Sequence, residues 1–352
     1  MATHLAPPES ICLLRLSALG DVTHVVPLVR TLRAAWPGIP ISWIIGKAEH
    51  RLLAGLADEG IEFIEFDKRS GVSGMRALRR GLEGRRFGVL MQLQVAARAN
   101  MLSAFVPAER RIGYDRARSK DLHGLFVSER IPERSGEHVL EAIGSFCEPL
   151  GLRQTEVRWN LPVPEAAHAW AREQWPQDGT PTLLVSPCSS HALRNWRPDR
   201  YAAVIDHAAA RGWRVVLCGG RSANERNMGN AILASAGSQV LDLVGKDSID
   251  QLPALLARGD LVLTPDSGPM HIANAMGAKV LGLHAASNPK RSGPYSDLRY
   301  CVNRYDDAAC RFLGKSSSEL KWGTKIEHPG VMDLVTVEDA IAAFERRVAD
   351  LG

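Results

Sequence analysis

The segment from Thr264 to Ala275 joins an apolar run to a helical pattern and carries polar residues that suit phosphate binding. A strand is predicted over Leu261–Leu263, and Ser267 and Gly268 would open the following helix. The N–H groups at a helix start lack intrahelical partners and the helix dipole is positive there, so this joint attracts an anion such as a nucleotide phosphate. Asp266 could then orient a sugar hydroxyl. The alternative is an ordinary N-cap that only satisfies backbone donors.

Two further loops in the same half of the chain carry residues that suit a nucleotide. Ser189, Ser190 and Arg194 follow one predicted strand, and together they can hold a diphosphate by neutral and charge-assisted hydrogen bonds. Glu225 follows the next strand, where its carboxylate could accept hydrogen bonds from ribose hydroxyls. An exposed glutamate in the first turn of a helix is the commoner meaning of such a residue.

In the first half of the chain, Asp21 follows a predicted strand, Cys12–Leu16, and a turn that Gly20 permits. Ligands gather at the carboxyl ends of strands in parallel sheets, so a carboxylate placed there could act as a general base. The alternative is that Asp21 is merely the N-cap of the next helix. The G-x-G-x-x-G fingerprint of dinucleotide binding is missing from this junction.

The sequence shows no metal-binding pattern. It contains no Asp-x-Asp motif, no Cys-x-x-Cys pair and no histidine, cysteine and carboxylate cluster with metal-ligand spacing. The charge of a bound diphosphate would therefore be met by helix N-termini, hydroxyl groups and Arg194. We predict neither a metal nor any other cofactor.

The elements that would position these residues are strands alternating with helices, which is typical of a parallel sheet covered by helices. Strands are predicted over 11–16, 41–45, 61–66, 87–93 and 111–114, then over 182–186, 214–218, 240–244, 261–263 and 279–283. Prolines at 162 and 164 mark a linker. We predict an α/β protein with two Rossmann-like doubly wound domains, residues 1–160 and 161–352, facing a cleft.

Composition and charge restrict the class of protein. The first ten residues lack a cationic flank followed by an apolar run, and no apolar stretch is long enough to span a membrane, so we expect a cytoplasmic protein. Six scattered cysteines indicate no disulfide, and Cys12 and Cys218 lie in strand runs as buried thiols would. Trp196 is predicted to be a packing residue.

The basic residues are unevenly distributed. The net charge is only +4, but residues 68–120 hold 13 Lys and Arg residues against three acids. This excess predicts an anionic partner, whereas aromatic interleaving and a nucleic-acid module are missing, so nucleic acid is disfavoured. A solvated helix face is the alternative for a subset of these residues: Arg76, Arg79, Arg80, Arg85 and Arg86.

Taken together, these loops resemble those of the bacterial ADP-heptose-dependent lipopolysaccharide heptosyltransferases. The motifs that carry the resemblance run nearly from end to end: L-S-A-L-G-D-V-x-H at 16–24 followed by Pro27, F-G-V-L-M-Q-L-Q at 87–94, I-G-Y-D at 112–115, R-N-W-R-P at 194–198 and D-S-G-P-M-H at 266–271. The resemblance implies a GT-B fold and a metal-independent transfer of heptose from ADP-heptose, with inversion, to the Kdo or heptose of the lipopolysaccharide inner core.

The resemblance also implies roles for individual residues. Asp21 would be the catalytic base, with the amino-terminal domain binding the acceptor. The carboxyl-terminal domain would bind the nucleotide sugar through Ser189, Ser190, Arg194, Glu225, Asp266, Ser267, Gly268 and His271. The phosphates and carboxylates of the lipid A-core acceptor would meet Arg98, Arg116, Arg118 and Lys120, and the same positive face would hold the enzyme at the inner face of the inner membrane.

The sequence departs from the family pattern in three places. Arg194 stands where a phosphate-binding lysine is usual, which keeps the charge but changes the geometry. The amino-terminal motif resembles enzymes that add the first heptose, whereas D-S-G-P-M-H resembles those that add the second. The segment from Tyr300 to Pro329 matches no known motif. Two alternatives to a transferase stay open, an epimerase-like enzyme that acts on free sugar nucleotide and a non-catalytic nucleotide-sugar binder.

Overall fold

The computed structural model describes residues 6–350, and the chain divides into two compact units at Pro162. Each unit is built around one six-stranded sheet whose neighbouring strands pair in parallel. Counted within its own unit, each sheet has the strand order 3-2-1-4-5-6. This is the doubly wound Rossmann order, so the predicted fold class is confirmed.

The amino-terminal sheet is apolar at its centre because its middle strands are covered on both faces. Its strands are β1 (Ile11–Leu14), β2 (Ile41–Ile45), β3 (Ile61–Glu65), β4 (Phe87–Gln92), β5 (Ala108–Gly113) and β6 (Glu129–Arg130). Every residue of β1, β2 and β4 is buried, as expected of central parallel strands. The helices of this unit are α1 (Val26–Ala35), α2 (Lys47–Leu53), α3 (Gly71–Gly81), α4 (Ala97–Ser103) and α5 (Val139–Gly144).

The carboxyl-terminal sheet repeats the arrangement. Its strands are β7 (Thr182–Val185), β8 (Arg214–Leu217), β9 (Leu241–Asp242), β10 (Leu261–Pro265), β11 (Val280–His284) and β12 (Val302–Asn303). The helices are α6 (Glu165–Glu173), α7 (Pro198–Ala210), α8 (Ala223–Ser235), α9 (Leu252–Ala257), α10 (Gly268–Ala275), α11 (Pro289–Ser292), α12 (Tyr305–Ala308) and α13 (Val337–Ala349). Trp196 is buried in this core and donates to the Val335 carbonyl at 2.9 Å, so its predicted packing role is confirmed.

Several helix starts follow directly from local chemistry. Pro198 occupies the first position of α7, where a missing N–H costs nothing. Ser222 caps α8 by accepting from the Glu225 N–H. Thr336 and Asp339 form a reciprocal capping box at the start of α13.

The structure corrects the predicted element boundaries in places. The strand expected at 111–114 is β5, which starts at Ala108, and the strand expected at 240–244 is only two residues long. In place of one helix near 137–150, the structure has α5 followed by a 3-10 helix over Ser145–Leu150. This second part contains Pro149, which disfavours a continuous α-helix. The sequence analysis missed both short edge strands, β6 and β12, since two-residue strands leave almost no periodic signal.

Two expectations about the whole chain also meet the structure. Cys12 and Cys218 are buried as predicted, and all six cysteines, which lie within the described residues, are free thiols. Between residues 6 and 350, no helix combines the length and apolar character needed to cross a bilayer.

Candidate functional site

The strand order places the predicted donor-site loops at one point of the carboxyl-terminal sheet. β7 and β10 are neighbours, and the chain leaves them toward opposite sides of the sheet. Such a topological switch point opens a crevice at the carboxyl ends of the two strands. Ser189, Ser190 and Arg194 follow β7, whereas Asp266 and Ser267 follow β10. The fold therefore brings two of the three predicted donor loops to the position where doubly wound sheets bind ligands.

The start of α10 is not closed by a side-chain cap. Ser267 occupies the N-cap position with extended backbone, but no side chain caps the helix there. Instead, the Ser267 hydroxyl lies 2.9 Å from the Thr264 hydroxyl. The alternative interpretation of this motif as an ordinary N-cap is thus not what the structure shows. The positive end of α10 follows the carboxyl end of β10, the edge of the sheet where an anion site is expected.

Asp266 is a buried carboxylate surrounded by cations and histidines. Its Oδ2 atom accepts a hydrogen bond from Lys325 Nζ at 2.9 Å and lies 3.7 Å from Arg194 Nη1, and Oδ1 lies 3.9 Å from His271 Nε2. Burial by itself raises the pKa of Asp266, but Lys325, together with His284 and His271 in their charged forms, outweighs burial and holds that pKa well below its usual range. Asp266 is therefore ionised at neutral pH.

His284 is the last residue of β11 and interacts electrostatically with Asp266. Its Nδ1 atom is 3.2 Å from the Ser287 hydroxyl. Burial lowers the pKa of His284 to about 4, against a smaller opposing effect of Asp266. The ring is consequently neutral at physiological pH, and the positive charge opposite Asp266 comes from Lys325 and Arg194.

Arg194 is held by a second carboxylate. Its Nε and Nη2 atoms donate to Glu327 Oε1 at 2.8 and 2.5 Å, and His191 Nε2 lies 3.3 Å from the other oxygen of Glu327. The Ser189 N–H donates to Asn195 Oδ1 at 2.7 Å, which fixes the loop that carries Ser190 on its exposed side. Arg194 thus bridges two carboxylates from distant parts of the chain.

Lys325 and Glu327 were missed by the sequence analysis. They belong to the segment at 300–329 that matched no motif, and they flank Ile326, which is completely buried and donates its N–H to the Ala286 carbonyl. A buried residue between two charged ones is a weak signal, because many surface loops share it. Only the packing of Ile326 reveals that both neighbours reach the donor loops.

Glu225 is engaged within its own helix start. Its carboxylate accepts from the Gly220 N–H at 2.8 Å and from the Ser222 hydroxyl at 2.7 Å, while the Glu225 N–H donates to Ser222 Oγ. This is the structural role that a first-turn glutamate commonly has. A contact of Glu225 with ribose stays a prediction.

Asp21 is the first residue of a 3-10 helix that precedes α1, and Gly20 is its N-cap. The Asp21 carboxylate does not cap that helix. Its Oδ2 atom accepts from the Ala18 N–H at 3.3 Å and lies 2.7 Å from Arg15 Nη2. The side chain is 36% exposed, so the carboxylate remains accessible from solvent. Arg15, which sequence reasoning did not single out, is anchored by donating to the Leu93 carbonyl at 2.6 Å.

The four predicted acceptor cations differ in their surroundings. Arg98, Arg116 and Lys120 are exposed. Arg118 instead pairs with Asp115 and with Glu137 and donates to the Pro132 carbonyl at 2.9 Å. Its guanidinium is therefore paired with two carboxylates of the protein, and a contact of Arg118 with the acceptor stays a prediction.

A surface cavity of about 330 Å³ lies beside these cations. The residues that line it are Arg116, Ser119, Lys120, Leu122, His123, Gly124 and Arg130. Arg116 and Lys120 are therefore joined by Arg130, a cation that the sequence analysis did not name. Burial lowers the pKa of His123 to about 4, so this ring is neutral and the cavity owes its positive charge to arginine and lysine.

The basic helix face mostly behaves as the solvated alternative predicts. Arg76, Arg79 and Arg80 are exposed on α3. Arg85 makes two short hydrogen bonds to Glu62, at 2.7 and 2.6 Å.

A larger cavity of about 640 Å³ beside Trp175 and Trp213 contains none of the predicted site residues.

Comparison with known proteins identifies the family to which the chain belongs. The sequence model of the family described as glycosyltransferase family 9 (heptosyltransferase) matches residues 75–322. The lipopolysaccharide core heptosyltransferase OpsX of Haemophilus influenzae is 36% identical over 339 residues, which cover 96% of this chain and 97% of the relative.

Solved structures share the fold over nearly all of the chain. A family 9 glycosyl transferase from Veillonella parvula superposes with a TM-score of 0.79 at 21% identity and covers 99% of each chain. E. coli heptosyltransferase WaaC, solved with ADP-2-deoxy-2-fluoro heptose, gives a TM-score of 0.70 at 16% identity and covers 96% of this chain and 99% of its own. Fold and family together define a glycosyltransferase of the GT-B type. The chain belongs to glycosyltransferase family 9, the heptosyltransferase family, as the sequence motifs indicated.

Proposed function

We propose that this glycosyltransferase transfers heptose from ADP-heptose to the Kdo or heptose of the lipopolysaccharide inner core. The observation that carries the proposal is the crevice at β7 and β10, where the start of α10 lacks a side-chain cap and Asp266, just before it, pairs with Arg194 and Lys325. This combination suits a diphosphate. The 36% identity with OpsX, which is named a lipopolysaccharide core heptosyltransferase, supports heptose as the group transferred.

The donor belongs to the proposed nucleotide-sugar domain, residues 161–352. Its diphosphate would be bound by the α10 start at Ser267 and Gly268, by the loop hydroxyls of Ser189 and Ser190, and by Arg194. Asp266 and His271 would then face the sugar, because the carboxylate is ionised and accepts hydrogen bonds from hydroxyl groups. Glu225 would reach the ribose after giving up one of its two helix-start contacts.

Asp21 is the proposed general base in the acceptor domain, residues 1–160. In a single inverting displacement, the acceptor hydroxyl oxygen bonds to the anomeric carbon, the bond from that carbon to the ADP oxygen breaks, and Asp21 takes the hydroxyl proton. The accessible carboxylate beside Arg15 supports this role. The anchored guanidinium would keep Asp21 oriented toward the reacting hydroxyl.

The reaction is proposed to proceed without a metal ion or other cofactor. The charge that develops on the ADP oxygen would be stabilised by the helix dipole of α10 and by Arg194, groups that are already in place before the reaction. Arg194 and Lys325 support this proposal, because both cations belong to the segments that would surround the diphosphate.

The acceptor is proposed to be bound at the inner face of the inner membrane. Arg116, Lys120 and Arg130 would pair with its phosphates and carboxylates, and Arg98 would add charge nearby. Leu122 and Leu125 support contact with lipid, since they are 72% and 78% exposed beside this cationic cavity. Exposed leucines next to basic residues suit an anionic membrane surface. The protein would then be cytoplasmic and peripheral to the membrane.

The decisive experiment offers the purified protein ADP-heptose and a panel of truncated lipopolysaccharide cores, with product detection by mass spectrometry. A mass increase of one heptose on one core supports the proposal and identifies the acceptor. Interconversion of ADP-heptose without any core would instead indicate an epimerase. Donor binding without a product on any core would indicate a nucleotide-sugar binder.

A further inference from the structure

The segment at 320–329 brings one cation and one carboxylate to the loops of the proposed donor site. Lys325 reaches Asp266, which follows β10, and Glu327 reaches Arg194, which follows β7. Ile326 anchors both of them, because its side chain is buried and its backbone bonds to Ala286. The result is a chain of four charges in the order Lys325, Asp266, Arg194 and Glu327.

These four charges balance one another. Two cations face two carboxylates, so a diphosphate that enters adds negative charge to a balanced site. Coulomb repulsion then favours movement of one carboxylate away from the cations. The two carboxylates are not equally free to move. The Asp266 side chain is 8% exposed and hydrogen-bonded by Lys325, whereas the Glu327 side chain is 24% exposed and can turn into solvent.

We propose that Glu327 occupies the phosphate position on Arg194 until the donor diphosphate displaces it, and that Lys325 is a second cation of the diphosphate site. The inference rests on the proposed function, since it takes the donor to be a nucleoside diphosphate sugar. Oε1 of Glu327 accepts hydrogen bonds from Arg194, and Oε2 lies 3.3 Å from His191 Nε2. A phosphate group offers the same kind of acceptor oxygens to the same donors.

Lys325 also explains how the site works with an arginine at 194. A guanidinium pairs with two acceptors through its fork, here Asp266 and Glu327, whereas an ammonium group is a compact charge that can move a short way between acceptors. The Lys325 side chain is about a quarter exposed, so it is not sealed in the interior with Asp266. It can therefore donate to a phosphate while it keeps Asp266 ionised.

The test compares ADP and AMP binding to the full-length protein by calorimetry. Glu327→Gln keeps the shape of the side chain and removes its charge, and we expect it to tighten ADP binding about threefold or more, with a smaller gain for AMP. Lys325→Met should weaken ADP binding about tenfold or more, and Lys325→Arg should restore most of the affinity. Asp199→Asn is the matched control, because it removes a carboxylate from another arginine pair, 2.8 Å from Arg197, and should leave ADP affinity unchanged.

The outcomes separate the inference from the proposed function. If Glu327→Gln leaves ADP binding unchanged or weakens it, Glu327 only positions Arg194 and the displacement is wrong. If Lys325→Met binds ADP as the unaltered protein does, Lys325 serves Asp266 alone. Failure of the unaltered protein to bind ADP at all would count against the proposed donor itself, whatever the variants do.

Discussion

Arg15 Nη2 lies 2.7 Å from Asp21 Oδ2, so the proposed catalytic base is paired with a guanidinium that is itself fixed to the Leu93 carbonyl. Arg15 directly follows β1 and Asp21 begins the 3-10 helix at Asp21–Val25, so the short connection between these two elements brings the side chains together. The pair suggests a division of labour in which Asp21 accepts the proton and Arg15 holds the carboxylate in place.

Asp21→Asn should lower turnover by about 10²- to 10⁴-fold, because the amide cannot accept the acceptor proton. ADP affinity should stay within about twofold, since the donor is assigned to the other unit. Steady-state kinetics with ADP-heptose and the accepted core would measure the first effect, and calorimetry the second. Glu59→Gln is a suitable control, as it neutralises another partly exposed carboxylate that pairs with an arginine, Arg30. If the Asp21 variant keeps more than about a tenth of the turnover of the unaltered protein, Asp21 is not the general base.

Arg194→Ala should weaken ADP binding by about 1.5–3 kcal/mol, the scale of a hydrogen bond to a charged group. A chelator should leave the rate of the unaltered enzyme unchanged, because side chains and the α10 start are proposed to bind the diphosphate. Calorimetry with ADP and rate measurements with and without EDTA would check both statements. Activity that EDTA abolishes and magnesium restores would show that the metal-free proposal is wrong.

Paired removal of Arg116 and Lys120 by alanine should raise the Michaelis constant for the core acceptor and make it less sensitive to salt. The Michaelis constant should rise because two positive charges that attract the anionic acceptor are lost. The salt sensitivity should fall because fewer charge pairs are left to screen as the screening length shortens from about 8 Å at 0.15 M to about 3 Å at 1 M. The matched control is the pair Arg79→Ala with Arg80→Ala, which removes the same charge from the exposed face of α3. ADP affinity should not respond to either pair.

The same surface should bind vesicles that contain anionic lipid. Leu122→Ser with Leu125→Ser should weaken that binding and leave the Michaelis constant for a water-soluble core fragment unchanged.

Arg118→Ala should behave differently from its neighbours, lowering the melting temperature because Asp115 and Glu137 lose their partner. If the Arg79 and Arg80 pair raises the Michaelis constant for the core acceptor as much as the Arg116 and Lys120 pair does, the acceptor binds at another surface.

His284 should make the protein less stable in mild acid. Its pKa is about 4 in the folded protein and has the ordinary histidine value of 6.5 in the unfolded chain, so between these values the unfolded chain binds a proton that the folded chain does not. The free energy of unfolding therefore falls as the pH falls through this window, by up to about 3 kcal/mol from this residue. The groups that face His284 are Asp266, Lys325 and His271, and they remain in the variant.

His284→Asn removes this titration. The free energy of unfolding of the variant minus that of the unaltered protein should rise as the pH falls from about 6.5 to about 4. Urea unfolding at several pH values would measure this difference, which is independent of other groups such as Asp247, whose pKa burial raises to about 6. A difference that stays constant across the window would mean that His284 does not resist protonation in the folded state.

Much of this protein could be predicted from the sequence alone, because long buried strands and Gly- or Pro-marked turns are local signals. The doubly wound class, the two-unit organisation and the loops at Asp21, Ser189 and Asp266 all follow from apolar runs and the residues after them. The family motifs are likewise short contiguous segments. Each of these features depends on neighbours within about fifteen residues, which is the range over which periodicity and capping operate.

The tertiary structure alone decided which charges meet. Arg118 and Arg116 look alike in sequence, yet Arg118 also pairs with Glu137, 19 positions away, while Arg116 lines a cavity. Lys325 reaches Asp266 across 59 positions, and Glu327 reaches Arg194 across 133. Ion pairs of this kind carry no local signal, because they are set by how loops pack on the sheet and by which side chains lose water there.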